Sequence, residues 1–182
     1  MSTADVRTAA GDFLAVQNAN VPANASDVML GAPAAPTLIV PANAADGITV
    51  TTPFTWSAFT GGVHKFELGA QGAPSFINFT EKIAATITDL SAVGFPLPAS
   101  TQYGWSVDGL APLASVDAIA ALGTTRFFAG NYVFGASHIQ YVTTAPRRLV
   151  ERRSGNAESR VHRAPGFVLA RCLSTLRAKA FR

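Results

Sequence analysis

The sequence predicts an all-β domain, a sandwich of about seven antiparallel strands with a flexible N-terminal leader and a basic C-terminal extension. Three observations predict it. Short β-type runs separated by Gly and Pro turns recur between Thr37 and Gly130 at the roughly 8–12 residue spacing of a sandwich. In the run QYGWSVD, Tyr103, Trp105 and Val107 occupy one set of alternate positions and Gln102, Gly104, Ser106 and Asp108 the other, the pattern of a strand with one buried and one wet face. Charged residues make up only 14% of the 182, against about a quarter in an ordinary globular chain. Ala, Gly, Pro, Thr and Ser fill the remainder, which suits a loop-rich β domain better than a helical bundle.

The elements follow in order. Residues 1–35 are polar and weakly periodic, and read as a leader with room for a short helix over Thr8–Gln17. TLIV (37–40) is the first strand, and Pro41 ends it. ITV (48–50) and FTWSA (54–58) follow the loop NAADG, with Pro53 forcing a bulge or an edge position between them. After Gly61-Gly62, VHKFELGA (63–70) alternates so that Phe66 and Leu68 face the core. SFINF (75–79) and IAATITDL (83–90) are the next two strands, and LPASTQYGWSV contains the one after them. LAPLASVDAIAALG (110–123) breaks the rhythm: Ser115 is placed to cap a short helix over Val116–Leu122 that Gly123 ends. TTRFFAG (124–130) and Ser137–Thr143 complete the strand set.

Leu97, Pro98, Thr101, Tyr103, Trp105 and Val107 resemble, position by position, the tyrosine corner of fibronectin type III and other immunoglobulin-like domains. Trp56 matches the core Trp of the second strand, and Phe66 stands where the next strand often has an aromatic. The resemblance covers about Ala35 to Gly130. It implies that the Tyr103 hydroxyl bonds back to loop backbone, and that Trp56, Phe66, Leu97, Tyr103, Trp105 and Val107 hold the fold rather than do chemistry. It also implies a bacterial or phage surface or secreted protein, extracellular or at the cell surface, although the first thirty residues carry no signal-peptide pattern. The domain organisation is therefore a leader over 1–35, the sandwich over 36–145 and a tail over 146–182.

The tail differs in charge. Residues 1–145 hold four basic and nine acidic residues, a net of −5, whereas 146–182 hold ten basic and two acidic residues, a net of +8. Three readings compete for it: an arm for nucleic acid or an anionic surface through Arg147, Arg148, Arg152 and Arg153, a plain appendage, or an unselected reading frame. Leu169, Leu173, Leu176 and Ala180 lie at the 4-3-4 spacing of one helical stripe.

Little in the chain points to catalysis. One Cys, Cys172, excludes an internal disulfide. His64, His138 and His162 have no metal-ligand spacing, and neither a P-loop nor a GxSxG elbow occurs. Asp46, Asp89 and Asp108 lack the DxDxDG run of a calcium loop. No stretch approaches 18 unbroken apolar residues, so no transmembrane segment is expected. These observations favour a non-enzymatic module without cofactor or metal, a binding or spacer domain for protein or polysaccharide. It would bind through loop tips 41–47 and 91–96 or an edge strand. The alternative is an accessory domain of a larger secreted carbohydrate-active enzyme or protease. Sugar stacking requires an exposed aromatic on a flat sheet face, and Tyr132 and Tyr141 are the candidates, since Trp56 and Trp105 are expected inside.

Overall fold

The computed structural model describes residues 1–122 and 130–147. Within them the chain forms β1 (Ser2–Arg7), β2 (Phe13–Asn18), β3 (Leu38–Val40), β4 (Ala45–Ile48), β5 (Phe54–Trp56) and β6 (Val63–Gly69). Next come β7 (Phe76–Thr80), β8 (Ala84–Ala85), β9 (Gln102–Ala111), α1 (Val116–Leu122), β10 (Tyr132–Ala136) and β11 (Gln140–Thr144).

β9 is the spine of the larger sheet. β6 runs along one side of it, from Val63 opposite Leu110 to Gly69 opposite Gly104, and β7 lies beyond β6. The other side is shared: β10 pairs with Asp108–Ala111 and β11 with Gln102–Trp105. β2 and then β1 extend the sheet from β10, while β4 extends it from β11. The smaller sheet has the order β3-β5-β8.

The two sheets bury one core. Phe54 and Trp56 of β5 meet Phe66 and Leu68 of β6, Tyr103, Trp105 and Val107 of β9, and Val142 of β11. Trp56 stacks on Phe66 with centroids 5.9 Å apart and planes 5° from parallel, and Phe54 meets Trp105 edge-on at 5.1 Å. Burial of each such side chain contributes about 1.5–3 kcal/mol. A second cluster of Val63, Leu110 and Leu113 is covered by Ala118 and Ile119 of α1 and by Phe134. The Ser115 hydroxyl accepts the Ala118 N–H at 3.3 Å, and the Glu81 carboxylate accepts the Val116 N–H at 3.1 Å. Both satisfy donors that a helix start leaves open.

Several expectations are corrected. Residues 1–35 are not simply a leader, and Thr8–Gln17 is not a helix: β1 and β2 form a hairpin joined to the larger sheet. Gly11 has φ +95° at its turn, a backbone no right-handed helix accommodates, and the Thr8 N–H closes the turn on the Asp12 carbonyl at 2.9 Å. The strand expected at 48–50 lies at Ala45–Ile48, because Thr49 and Thr52 make a turn in which the Thr52 hydroxyl accepts the Thr49 N–H at 2.9 Å. β4 is also parallel to β11, so the strands are not all antiparallel. The 83–90 strand shrinks to Ala84–Ala85, and Asp89 turns the chain by accepting the Ser91 N–H. Ser137–Thr143 is not one strand. Its Ser137 lies in the break between β10 and β11, where the Ser137 hydroxyl accepts the Val107 N–H at 2.9 Å and its own N–H donates to the Val107 carbonyl. Residues 124–129 of the expected strand TTRFFAG lie outside the described residues, as do 148–182 of the tail.

Candidate binding site on the outer sheet face

The alternation in β9 places Trp105, Tyr103 and Val107 inside, with Trp105 only 1% exposed. Trp56 and Phe66 are buried with them, and Leu97 packs against the same cluster from the loop. The corner is held by a different group from the one expected. The Tyr103 hydroxyl is buried with no hydrogen-bond partner among the described residues. The Thr144 hydroxyl instead donates to the Pro98 carbonyl at 2.6 Å and accepts the Thr101 N–H at 2.9 Å. A further bond joins the Ser100 N–H to the Ala145 carbonyl. The hydroxyl of β11 therefore does what the resemblance assigns to that of β9.

The same alternation turns Lys65, Glu67 and Gly69 of β6 and Gly104, Ser106 and Asp108 of β9 to the outer face. The Lys65 ammonium lies 2.7 Å from Glu67 and 3.5 Å from Asp108. Burial pulls the Lys65 pKa down, but the Glu67 hydrogen bond and the two carboxylate charges outweigh it and hold it above the usual value. Burial pushes Asp108 up, and Lys65 offsets this only in part. Lys65 has two carboxylate partners, whereas Asp108 is the more enclosed group and shares its one cation.

Beside this trio, an open trough of about 780 Å³ runs over the ends of β6, β9 and β11. Glu67, Gln71, Gln102 and Ser106 give it hydrogen-bonding groups, and Ile139 and Tyr141 form its apolar side. Gly104 makes the floor. A Cβ there would stand 3.0 Å from Ile139 Cγ2 and 3.5 Å from Tyr141 Cε1, so the missing side chain lets Ile139 lie close over the sheet, with the Tyr141 ring in ordinary contact range beside it. Tyr141 is 49% exposed, and its N–H is held by the Asn43 side chain at 2.8 Å. Tyr132 is half-buried on β10. Of the two tyrosines singled out from sequence, Tyr141 is thus the one on an open sheet face.

The other expected contact groups are scattered. Arg147 is exposed beside a cleft lined by Asp89, Leu97 and Pro98, at the end of the sheets reached by β11, while Arg148, Arg152 and Arg153 lie outside the described residues. His64 is buried, and its Nε2 accepts the Phe59 N–H at 3.0 Å. His138 meets the Asp12 carboxylate through its N–H and its Nδ1, both at 2.9 Å. Burial raises the Asp12 pKa, and the His138 contacts more than reverse this and leave it lowered. No cluster of three or more His, Cys, Asp and Glu side chains that could hold a metal forms among the described residues. No described helix is long and apolar enough to cross a membrane.

The sequence reading did not single out Thr144, Gly104, Ile139 or the Asp12–His138 contact. Gly104 had a visible signal: a Gly between Tyr103 and Trp105, on the wet side of an otherwise bulky strand, marks a close approach.

No protein-family model, curated protein or solved structure matches the chain.

Proposed function

We propose that the chain is a non-catalytic, fibronectin type III-like β-sandwich module of a surface or secreted protein, and that it binds a neutral polysaccharide in the trough beside Tyr141. Strand order supports the fold reading. Lettered in chain order from β3, with β4 as an added edge, the smaller sheet reads A-B-E and the larger reads C′-C-F-G through β7, β6, β9 and β10–β11, the division of strands found in immunoglobulin-like sandwiches.

One observation carries the ligand reading: the half-exposed Tyr141 ring lies over Gly104 in a shallow trough whose other groups are mostly amides and hydroxyls. An aromatic face contributes contact area at little entropic cost, and fixed polar groups orient the ligand. Glu67 accepts hydrogen bonds from sugar hydroxyls and repels an acidic chain. Nearby ionisable groups are engaged with one another, Lys65 with both Glu67 and Asp108, which suits binding rather than proton transfer.

Affinity electrophoresis through gels cast with soluble glucan, xylan, mannan or an acidic polysaccharide tests the reading. A neutral polysaccharide is expected to retard the protein and Tyr141→Ala to abolish the retardation. Retardation by none of them, or retardation unaffected by Tyr141→Ala, overturns it.

A further inference from the structure

β1 is an edge strand with five of its six residues exposed, and it is held firmly in place. Its hairpin is tied to the sheet at the turn by Asp12 and His138. At the far end, Gln17 Nε2 donates to the Gly130 carbonyl at 2.8 Å and the Ala19 N–H donates to the Asn131 side chain at 2.7 Å.

The hydrogen-bond parity of the free edge follows from the turn. Thr8 directs its N–H inward, to Asp12. Because bonding alternates along an antiparallel pair, Ala4 and Val6 also direct their backbone groups to β2. Thr3, Asp5 and Arg7 direct theirs outward along the edge, where no described strand pairs with them. Asp5 and Arg7 are two apart and lie on one face.

We propose that β1 is a homodimerisation strand, pairing antiparallel with β1 of a second copy about a two-fold axis at Val6. In that register Asp5 stands opposite Arg7 of the other copy and Arg7 opposite its Asp5, so both charges are matched and both positions have outward backbone groups to exchange. Val6, 58% exposed in the single chain, meets its own symmetry mate at a closely spaced non-hydrogen-bonded position. Leu14, which faces Val6 across the hairpin, continues an apolar row from each copy into the interface. Centring the axis on Asp5 or on Arg7 instead would place like charges opposite each other, which disfavours pairing. The charge pattern is complementary to itself, and this selects a second copy as the occupant of the edge.

Sedimentation equilibrium on the full chain tests the pairing. The weight-average mass is expected to rise from 18.9 kDa toward twice that value with concentration, in the micromolar range typical of small interfaces. D5R and R7D, at exposed positions, are each expected to remain monomeric. An equimolar mixture of the two is expected to recover the dimer, because the two arginines of one variant then face the two aspartates of the other. In a Cys172→Ser background, V6C is expected to crosslink on oxidation. A wild-type chain that stays at monomer mass, or a dimer that D5R and R7D leave intact, overturns the proposal.

Discussion

The Thr144 hydroxyl donates to the Pro98 carbonyl at 2.6 Å and so ties β11 to the loop that leads into β9. The same oxygen accepts the Thr101 N–H, while the Tyr103 hydroxyl nearby in sequence has no partner among the described residues. Replacing Thr144 by Val keeps the shape and strands two backbone groups, which costs about 1–3 kcal/mol. Tyr103→Phe removes a buried oxygen without a partner there, and its expected effect is neutral or stabilising. Urea unfolding of both variants separates this corner from one held by the tyrosine, in which the two costs would be reversed.

Gly109 and Gly135 face each other across β9 and β10, and the Phe59 ring rests on both. A Cβ at Gly109 would overlap the Phe59 ring, and one at Gly135 would lie 2.7 Å from Phe59 Cε2. Gly109→Ala therefore displaces the ring and costs about 1–3 kcal/mol. In a Phe59→Ala background the same change is expected to cost far less, and the double-mutant cycle measures the coupling. Additive costs would show that the ring is not what the glycines accommodate.

His64 gives the fold an acid sensitivity. Its buried Nε2 accepts a backbone N–H, a role only the neutral ring performs, and burial pushes its pKa down from 6.5. The unfolded chain then binds the proton more readily than the folded one. Stability from this group is complete above about pH 6.5 and is lost as pH falls from there toward the lowered folded value. The urea midpoint of the wild type is expected to drop across that window, and His64→Gln to flatten the drop.

Gly104→Ala tests the floor of the trough. The new methyl meets Ile139 at 3.0 Å and Tyr141 at 3.5 Å, both flexible and half in solvent, so the expected stability change is about 1 kcal/mol or less. Polysaccharide retardation is expected to weaken because Ile139, on the apolar side of the trough, is pushed aside, and Tyr141→Phe is expected to retain most of it.

Alternation made β6 and β9 readable, and with them the burial of Phe66, Tyr103, Trp105 and Val107. Ser115 marked the start of α1 because a cap is local chemistry. The N-terminal hairpin was not readable, since the partner that makes β2 a strand lies more than a hundred residues away: Gln17 bonds Gly130, and Leu14 pairs with Gly135. β4 was displaced by the turn at Thr49 and Thr52, and its pairing with Val142 and Thr144 is likewise distant in sequence. Tyr141 stood out as an aromatic in a strand. Its place over Gly104 depends on the register of β11 against β9, which is shifted by one residue from that of β10, the shift falling between Ser137 and Gln140.

The most direct measurement is amide-shift mapping by NMR during addition of defined neutral hexasaccharides of glucose, xylose or mannose. Shifts concentrated at Gly69, Gly104, Ser106 and Tyr141 are expected for at least one of them, and none in Tyr141→Ala. Shifts confined to the loops at 41–47 and 91–96, or no shifts with any sugar, would contradict this site.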